Sequence, residues 1–516
     1  MTDQPTLYER FAASAAEFGD RTALEVGGSR LTYAELRALA DRTAARLVAA
    51  LDGRVPARVG ILAGRSVAAY ASYLAAQRIG AAAVPLGVDQ APQRLAVIAA
   101  DAGLDVAIAE EVRQLPVPVV QFTTDGDVDA GLELPAHRPD PDSVAYIVFT
   151  SGSTGTPKGV PILQRNASAT LDHALDRYDI GPDARVSGTF DLTFDPAAWD
   201  MFTAWSAGAA LVVPGRGELV RPARFIAGRG ITHWFSVPSV ITYAQRLGDL
   251  TAGGMPQLRW TLFGGEPLTV RQAAAWREAA PAAVLENLYG PTEVTISCAQ
   301  FRLPDDPRRW PKTANGTVPI GTVYPRLDFL VLDESGAPSE EGELCVRGPQ
   351  RFPGYLRPEE NAGRFVRFDG RVATPYEDAA PPGDEVYYRT GDRVRAQGEA
   401  LVHLGRLDHQ VKIRGHRIEL GEVEAALRAL PGVEEAVVVP VADAHGQTGL
   451  AAAYTGIAQD PSLVRAELAE RVPGYMVPRG LTRVDDLPLN ANRKIDRRAV
   501  AARLSTAGEG RAGVGA

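Results

Sequence analysis

Apolar positions in the first half of the chain recur with two periods, and the two alternate. Across residues 35–51, Leu36, Leu39, Ala40, Leu47 and Leu51 fall on a helical repeat that stops at Gly53. Residues 59–62 form a short apolar run of strand length, and a second helical stretch leads to Arg78. Strand-like runs return at 82–86, 104–108 and 144–149. Helices alternating with short apolar strands predict an α/β fold whose parallel-rich sheets are covered by helices on both faces.

The pattern changes after about Gly405. Residues 408–418 are charged, and from Arg417 the chain reads as a helix with Leu420, Val423, Leu427 and Leu430 inward, ended by Pro431-Gly432. A strand is expected at 435–439 and a helix at 463–472, giving a small α+β domain of roughly 100 residues. The Gly/Ala-rich residues 505–516 are expected to be disordered. The predicted division is a large core over 1–407, a small C-terminal domain over 408–504, and the tail. The chain shows no internal repeat.

At 516 residues the chain is too long for a single core. Its content, 45% hydrophobic and 23% charged, is ordinary for a globular protein. A net charge of -9 argues against a nucleic-acid partner, which calls for a basic face. The beginning of the chain has neither the basic region nor the apolar core of a signal peptide. The apolar stretch 67–88 is broken by Gln77, Arg78 and Pro85, so no membrane span is expected. Cys298 and Cys345 suggest no disulfide framework, which fits a reducing cytoplasm, and the scattered histidines suggest no zinc site.

Residues 150–159 read TSGSTGTPKG and follow the apolar run 144–149. Gly152 and Gly155 permit close backbone approach, Thr150, Ser151, Ser153 and Thr154 offer hydroxyl donors, and Lys158 adds charge. Such a loop suits the phosphates of a nucleotide. It differs from the common phosphate loop, since Gly159 stands where that motif needs Ser or Thr after the lysine. A flexible linker is the alternative reading.

Four further motifs follow in order: NLYGPTE at 287–293, YRTGD at 388–392, GRLD at 405–408 with QVKIRG at 410–415, and LPLNANRKID at 487–496. With the loop, and with LTYAEL at 31–36, they resemble the acyl-adenylate-forming superfamily, above all the amino-acid-activating adenylation domains of nonribosomal peptide synthesis. The resemblance covers nearly the whole chain. It implies that a carboxylate attacks the α-phosphate of ATP, releasing pyrophosphate, and that a pantetheine thiol then takes the acyl group. Anion attacks anion in the first step, so catalysis should rest on charge cancellation and positioning.

The resemblance assigns roles residue by residue. Lys494 would bridge the substrate carboxylate and the α-phosphate, preceded by Arg493 where the family usually has glycine. Glu293 would hold Mg²⁺ and Thr292 the phosphate. Asn287 and Tyr289 would read and stack on adenine, while Asp392 would take the ribose hydroxyls with Arg406 nearby. His403 stands where an aromatic ring is common, and Glu266 and Gly290 complete the ATP site. Asp408 matches the hinge about which the small domain, a lid, turns between the two half-reactions; in the second, residues 412–417 would line the path of the thiol. Singly, each has a plainer reading: Asp392 as a turn residue, Glu293 as a surface acid, Lys494 as a solvated lysine, Asp408 as part of a charged linker.

Asp195 matches the acid that pairs with the α-ammonium of an amino acid. The alternative is an N-cap for a helix starting at Pro196. The remaining pocket would be Pro196, Trp199, Phe235, Leu262, Gly264, Leu288, Ile296 and Ser297, bulky and apolar apart from Ser297. That favours a small neutral amino acid (alanine, glycine or serine), with a leucine- or valine-like side chain second. No carrier domain follows Arg497, so a free-standing enzyme loading a separate carrier protein is expected, with a small helper protein required by some such enzymes. Residues 26–29 resemble a phosphopantetheine attachment site only superficially and read better as a hairpin turn. The rival classes are a ligase that uses coenzyme A as acceptor and a catalytically silent nucleotide-binding protein.

Overall fold

The computed structural model describes residues 4–111, 113–124, 134–137, 140–152, 156–378, 380–408, 410–443, 447–488 and 495–509, with side chains to 504. Contacts divide the chain into two units. The first comprises residues 1–88, 99–149 and 159–407; the second comprises Asp89–Ile98, Thr150–Lys158 and the chain from Asp408 onward. The phosphate loop thus groups with the C-terminal residues, which a contiguous division at 407 does not anticipate.

The first unit is built on three sheets. A nine-stranded sheet runs in the order Thr322–Val323, Ala299–Arg302, Val284–Tyr289, Trp260–Phe263, His233–Ser236, Arg185–Ser187, Ala210–Val212, Thr22–Val26, Ser29–Thr32. From Val284–Tyr289 across to Thr22–Val26 every pairing is parallel. A six-stranded sheet carries Val119–Gln121, Val106–Ala109, Arg58–Leu62, Ala82–Pro85 and Val144–Thr150 in parallel, with Lys158–Leu163 at its edge. The third, also six-stranded, is antiparallel around Tyr387–Gln397.

Local sequence explains the elements that frame these sheets. Helix Tyr33–Ala49 starts two residues before the apolar repeat because Thr32 and Glu35 form a capping box, each side chain serving the other's backbone N–H. Helix Val67–Arg78 is buried almost all round, which is why its stretch looked so apolar. Gln77 inside it is satisfied by Ala145 O at 2.7 Å and by Gln164 at 2.8 Å. Gly27 and Gly28, at φ 57° and 85°, turn the expected hairpin between Thr22–Val26 and Ser29–Thr32. No described helix is long and apolar enough to cross a membrane. Cys298 and Cys345 are both buried.

The second unit departs from expectation at its start. Gln410–Ile413 pairs antiparallel with His416–Glu419 across Arg414 and Gly415, both in the left-handed region. The helix therefore begins at Leu420 and runs to Arg428, rather than from Arg417. Charged residues on the open face of this short hairpin masked the alternation that buries Ile413 and Ile418. Val433–Ala442, Thr448–Gly456 and Gly480–Arg483 form a three-stranded sheet, and helix Pro461–Ala469 contributes Val464 and Leu468 to the core. Helix Arg497–Glu509 packs Val500 against Val437 and Val439, and it runs into the stretch expected to be disordered. Residues 510–516 lie outside the described residues.

Candidate active site

Pro196 at the first turn starts helix Pro196–Ser206 and leaves Asp195 at the N-cap position. The side chain does not cap it. Asp195 has helical backbone angles (φ -59°, ψ -29°) and makes no cap hydrogen bond. Its Oδ2 accepts the backbone N–H of Ile296 at 2.9 Å, and Thr292 Oγ1 donates to Oδ1 at 3.4 Å. The capping alternative gives way to a buried carboxylate held against the loop 292–297.

That loop is strained where it meets Asp195. Thr295 and Ile296, both β-branched, have φ of 55° and 73°. Neighbours hold them there. Thr295 Oγ1 donates to Gln350 O at 2.6 Å, Thr170 Oγ1 donates to Thr295 O at 3.3 Å, and Gln350 Nε2 donates to Ser297 O at 2.8 Å. The strain turns the Ile296 N–H toward the carboxylate. Two buried phenols, Tyr73 and Tyr146, are pushed well above the ordinary tyrosine range, first by burial and then by the negative charge of Asp195. The Tyr146 hydroxyl has no hydrogen-bond partner.

Strand register sorts the pocket residues. Phe235 lies opposite Leu262, and Leu262 opposite Glu286, so these share one sheet face, and Leu288 follows two residues along the same strand. They belong to the core that includes Trp199 and Ile296, whereas Trp234, Phe263 and Leu285 enter a separate core on the other face. Trp199 meets Phe235 edge-on at 5.2 Å. A Cβ on Gly264 would come within 3.2 Å of both Leu288 O and the Phe235 ring, so glycine fits a tight junction. Pro196 is only half-buried. The hydroxyl of Ser297 lies 2.7 Å from that of Tyr324.

The opposite parity of the same strand carries the expected adenine residues. Asn287 donates through Nδ2 to Pro319 O at 2.9 Å, while its Oδ1 is buried with no partner. Tyr289 donates to Asp392 Oδ2 at 2.6 Å. The other oxygen of Asp392 meets His403 Nε2 and Arg406 Nη1, each at 3.0 Å. His403 therefore serves the carboxylate, and its ring sits tilted at 6.0 Å from Tyr289. Gly290 permits close approach, since a Cβ there would fall 2.4 Å from Ser297 Cα. Glu293 is fully buried and accepts the Tyr355 hydroxyl at 2.6 Å. Glu266 accepts the backbone N–H of Ser239 at 3.0 Å.

In the second unit, Ser151 Oγ donates to Arg417 O at 2.8 Å and accepts the Glu419 N–H at 3.1 Å. Gly152 has no room for a side chain, because a Cβ would fall 2.0 Å from Thr156 O. Thr150 Oγ1 is buried without a partner, and Lys158 is buried. Asp408 Oδ1 accepts the backbone N–H of Gln410 at 3.2 Å. Ser153, Thr154, Gly155 and Lys494 lie outside the described residues.

Comparison with known proteins decides the family. Residues 11–356 match the model described as AMP-binding enzyme, and residues 422–494 that of the AMP-binding enzyme C-terminal domain. The chain belongs to the AMP-binding enzymes. It is 34% identical to an L-proline--[L-prolyl-carrier protein] ligase of Pseudomonas fluorescens, over 96% of this chain and 98% of that protein. It is 35% identical to the probable non-canonical nonribosomal peptide synthetase CymA of Salinispora arenicola over 98% of its own length, but spans only 6% of CymA. Among solved structures, the Vibrio cholerae adenylation domain AlmE in complex with glycyl-adenosine-5'-phosphate aligns at a TM-score of 0.81 and 27% identity, covering 97% of this chain and 98% of that one.

An AMP-binding enzyme uses ATP, and the residues present suit it. The unpartnered Oδ1 of Asn287 is an acceptor for which the exocyclic amino group of adenine is a fitting donor. Several residues that shape the site carried no signal of their own. Tyr355 and Tyr324 sit in unremarkable loop sequence. Glu286 is fully buried beneath the pocket wall, with Arg177 at 2.8 and 2.9 Å, Tyr178 at 3.1 Å and its cross-strand neighbour Arg302 at 3.3 Å.

Proposed function

We propose that this AMP-binding enzyme activates a small neutral amino acid as its aminoacyl adenylate and then passes it to the phosphopantetheine thiol of a carrier protein. Alanine, glycine and serine are the first substrates, with leucine- or valine-like side chains second. The observation that carries the proposal is Asp195: a buried carboxylate turned away from the helix it precedes. A buried carboxylate suits a cationic ligand, and an α-ammonium is one. The glycyl adenylate bound by AlmE and the prolyl-carrier ligase support the reading, each being a neighbour whose printed name joins an amino acid to this chemistry.

In this reading Asn287 and Tyr289 hold adenine, and Asp392, steadied by Tyr289, His403 and Arg406, takes the ribose hydroxyls. Residues 150–158 hold the outer phosphates, with Thr292 and Lys494 at the reacting carboxylate and α-phosphate. Glu293 is the residue for Mg²⁺: a hard oxygen donor with one atom fixed by Tyr355, and Mg²⁺ needs only one or two carboxylates beside phosphate and water. The ion would neutralise charge on the phosphates. The hinge at Asp408, with the small domain over 408–504, would let the second half-reaction follow.

The test is ATP–pyrophosphate exchange across the amino acids, followed by transfer to a carrier protein or to coenzyme A. Exchange with small neutral amino acids and loading of the carrier are expected. Exchange driven only by acids lacking an α-amino group would reject the proposal, and transfer to coenzyme A alone would favour the ligase alternative.

A further inference from the structure

Gln350 belongs to none of the sequence motifs, yet it braces the strained loop beside Asp195. Two successive β-branched residues of that loop, Thr295 and Ile296, sit at φ of 55° and 73°. Such residues disfavour the left-handed region, so the conformation persists only where its surroundings impose it. Residues 350–352 run beside the loop and bond to it repeatedly. Phe352 donates its N–H to Glu293 O at 2.9 Å, and Gln350 O accepts Thr295 Oγ1 at 2.6 Å. Gln350 Nε2 donates to Ser297 O at 2.8 Å and lies 3.5 Å from Val294 O. One buried amide thus meets the carbonyls on either side of the two strained residues. The brace is itself anchored to helix Gln164–Arg177. Asn166, fully buried there, donates through Nδ2 to Pro349 O at 2.7 Å and to Arg351 O at 3.1 Å, the carbonyls that flank Gln350.

We infer that Gln350 is a positioning residue for Asp195: its amide holds the loop in the left-handed conformation that aims the Ile296 N–H at the carboxylate. Without the amide, Ser297 O loses that donor, and the loop relieves its strain by returning Ile296 to negative φ. That rotation takes the N–H off Asp195 Oδ2. The carboxylate then loses the fixed orientation in which it meets a cation. The inference rests on the proposed pairing of Asp195 with an α-ammonium. It adds a residue outside the pocket and outside the motifs that sets how strongly an amine is preferred.

Alanine and propionate differ by the α-amino group and present the same methyl, so changes in the pocket wall cancel in the ratio of their kcat/KM. Pyrophosphate exchange with each would be measured in the full chain for the wild type, Gln350→Met, Ile296→Gly and Ile296→Gly/Gln350→Met. Gln350→Met keeps the length of the side chain and removes both N–H donors. The alanine-to-propionate ratio should fall by at least about threefold, the scale of one lost hydrogen bond. KM for ATP should stay within about twofold. Glycine adopts a positive φ without strain. In the Ile296→Gly background, the same substitution should therefore move the ratio by less than about twofold. Gln350→Asn, one methylene shorter, should also lower the ratio, and it carries the test if the methionine variant does not fold. A ratio that holds when the amide is removed or shortened, a parallel loss with both acids, or an equal fall in the glycine background overturns the inference. A wild type that activates propionate as well as alanine would instead reject the ammonium reading of Asp195 itself.

Discussion

Asp195 accepts a hydrogen bond from the backbone N–H of Ile296, 101 residues further along the chain, although it stands at the N-cap of the helix Pro196–Ser206. A capping aspartate would satisfy its own helix. This one is turned toward a strained loop, and a left-handed Ile296 is what aims the N–H at it. If Asp195 receives an α-ammonium, Asp195→Ala should lower kcat/KM for amino acids by about 3–5 kcal/mol equivalent, the cost of stranding a buried charge. Deaminated analogues should lose far less. Exchange kinetics with alanine and propionate measure the difference, and an unchanged preference for the amine would exclude the role.

Lys494 bridges the attacking carboxylate and the α-phosphate in the proposed mechanism. Lys494→Ala should reduce pyrophosphate exchange by at least about 100-fold, as loss of a preorganised charge does. ATP binding by equilibrium titration should persist, since Asn287, Tyr289 and Asp392 remain. Exchange at the wild-type rate would remove Lys494 from the chemistry.

Tyr289 has a narrower effect. Tyr289→Phe keeps the ring but takes the 2.6 Å hydrogen bond from Asp392. His403 and Arg406 still hold the other carboxylate oxygen, so KM for ATP should rise about tenfold, roughly 1.4 kcal/mol. KM for the amino acid should stay within about twofold, because the substrate wall faces the other side of the strand. Equal rises in both would argue that the tyrosine only supports the fold.

How much of this was legible in the chain depends on whether the physical cause is local. The Thr32–Glu35 capping box and the Gly27-Gly28 turn are written in neighbouring residues, and the alternating helices and strands follow from period alone. Asp195, Asp392 and Asn287 stand out in the chain because ordered motifs carry them, yet the motifs do not say that Asp195 ignores its helix or that His403 hydrogen-bonds to Asp392. Glu286 with Arg177, and Ser297 with Tyr324, are pairings made by tertiary packing, and neither partner is unusual in its own stretch. Only the last residues of the second hairpin strand, Arg417 to Glu419, read as helix in the sequence, because the leucines downstream extend a helical period backward over a strand too short to show its own.

His233 gives the fold a pH dependence apart from the site. Its Nε2 faces the carbonyl of Tyr178 at 2.8 Å and must donate, so Nδ1 accepts from Thr232 Oγ1 at 2.8 Å and the ring is neutral. Burial pushes its pKa down from the ordinary 6.5 to about 4, against the upward pull of the carbonyl. The unfolded chain therefore binds the extra proton between those values. The contribution is fully present above pH 6.5 and is lost as the pH falls toward 4, up to about 3 kcal/mol. Thermal melts should show Tm falling through that window, with a shallower slope in His233→Gln. Equal slopes would show that other groups set the acid sensitivity.

Arg94 and Glu422 tie two distant segments of the second unit together. Arg94 Nη1 donates to Glu422 Oε1 at 2.7 Å with both side chains nearly excluded from solvent. Burial raises the Glu422 carboxyl above its usual range, with Arg94 the main opposing influence. Neither Arg94 Nε nor Glu422 Oε2 has a hydrogen-bond partner, so the pair is imperfectly compensated even when intact. Removing one member should therefore cost more than removing both. Arg94→Met should destabilise the second unit by about 3–5 kcal/mol by leaving the carboxylate buried alone, whereas Arg94→Met/Glu422→Leu should recover most of it. Urea unfolding of the three proteins measures both values. A single variant as stable as the wild type would mean that water reaches Glu422 once the guanidinium is gone, and that the pair does not hold residues 89–98 to the C-terminal chain.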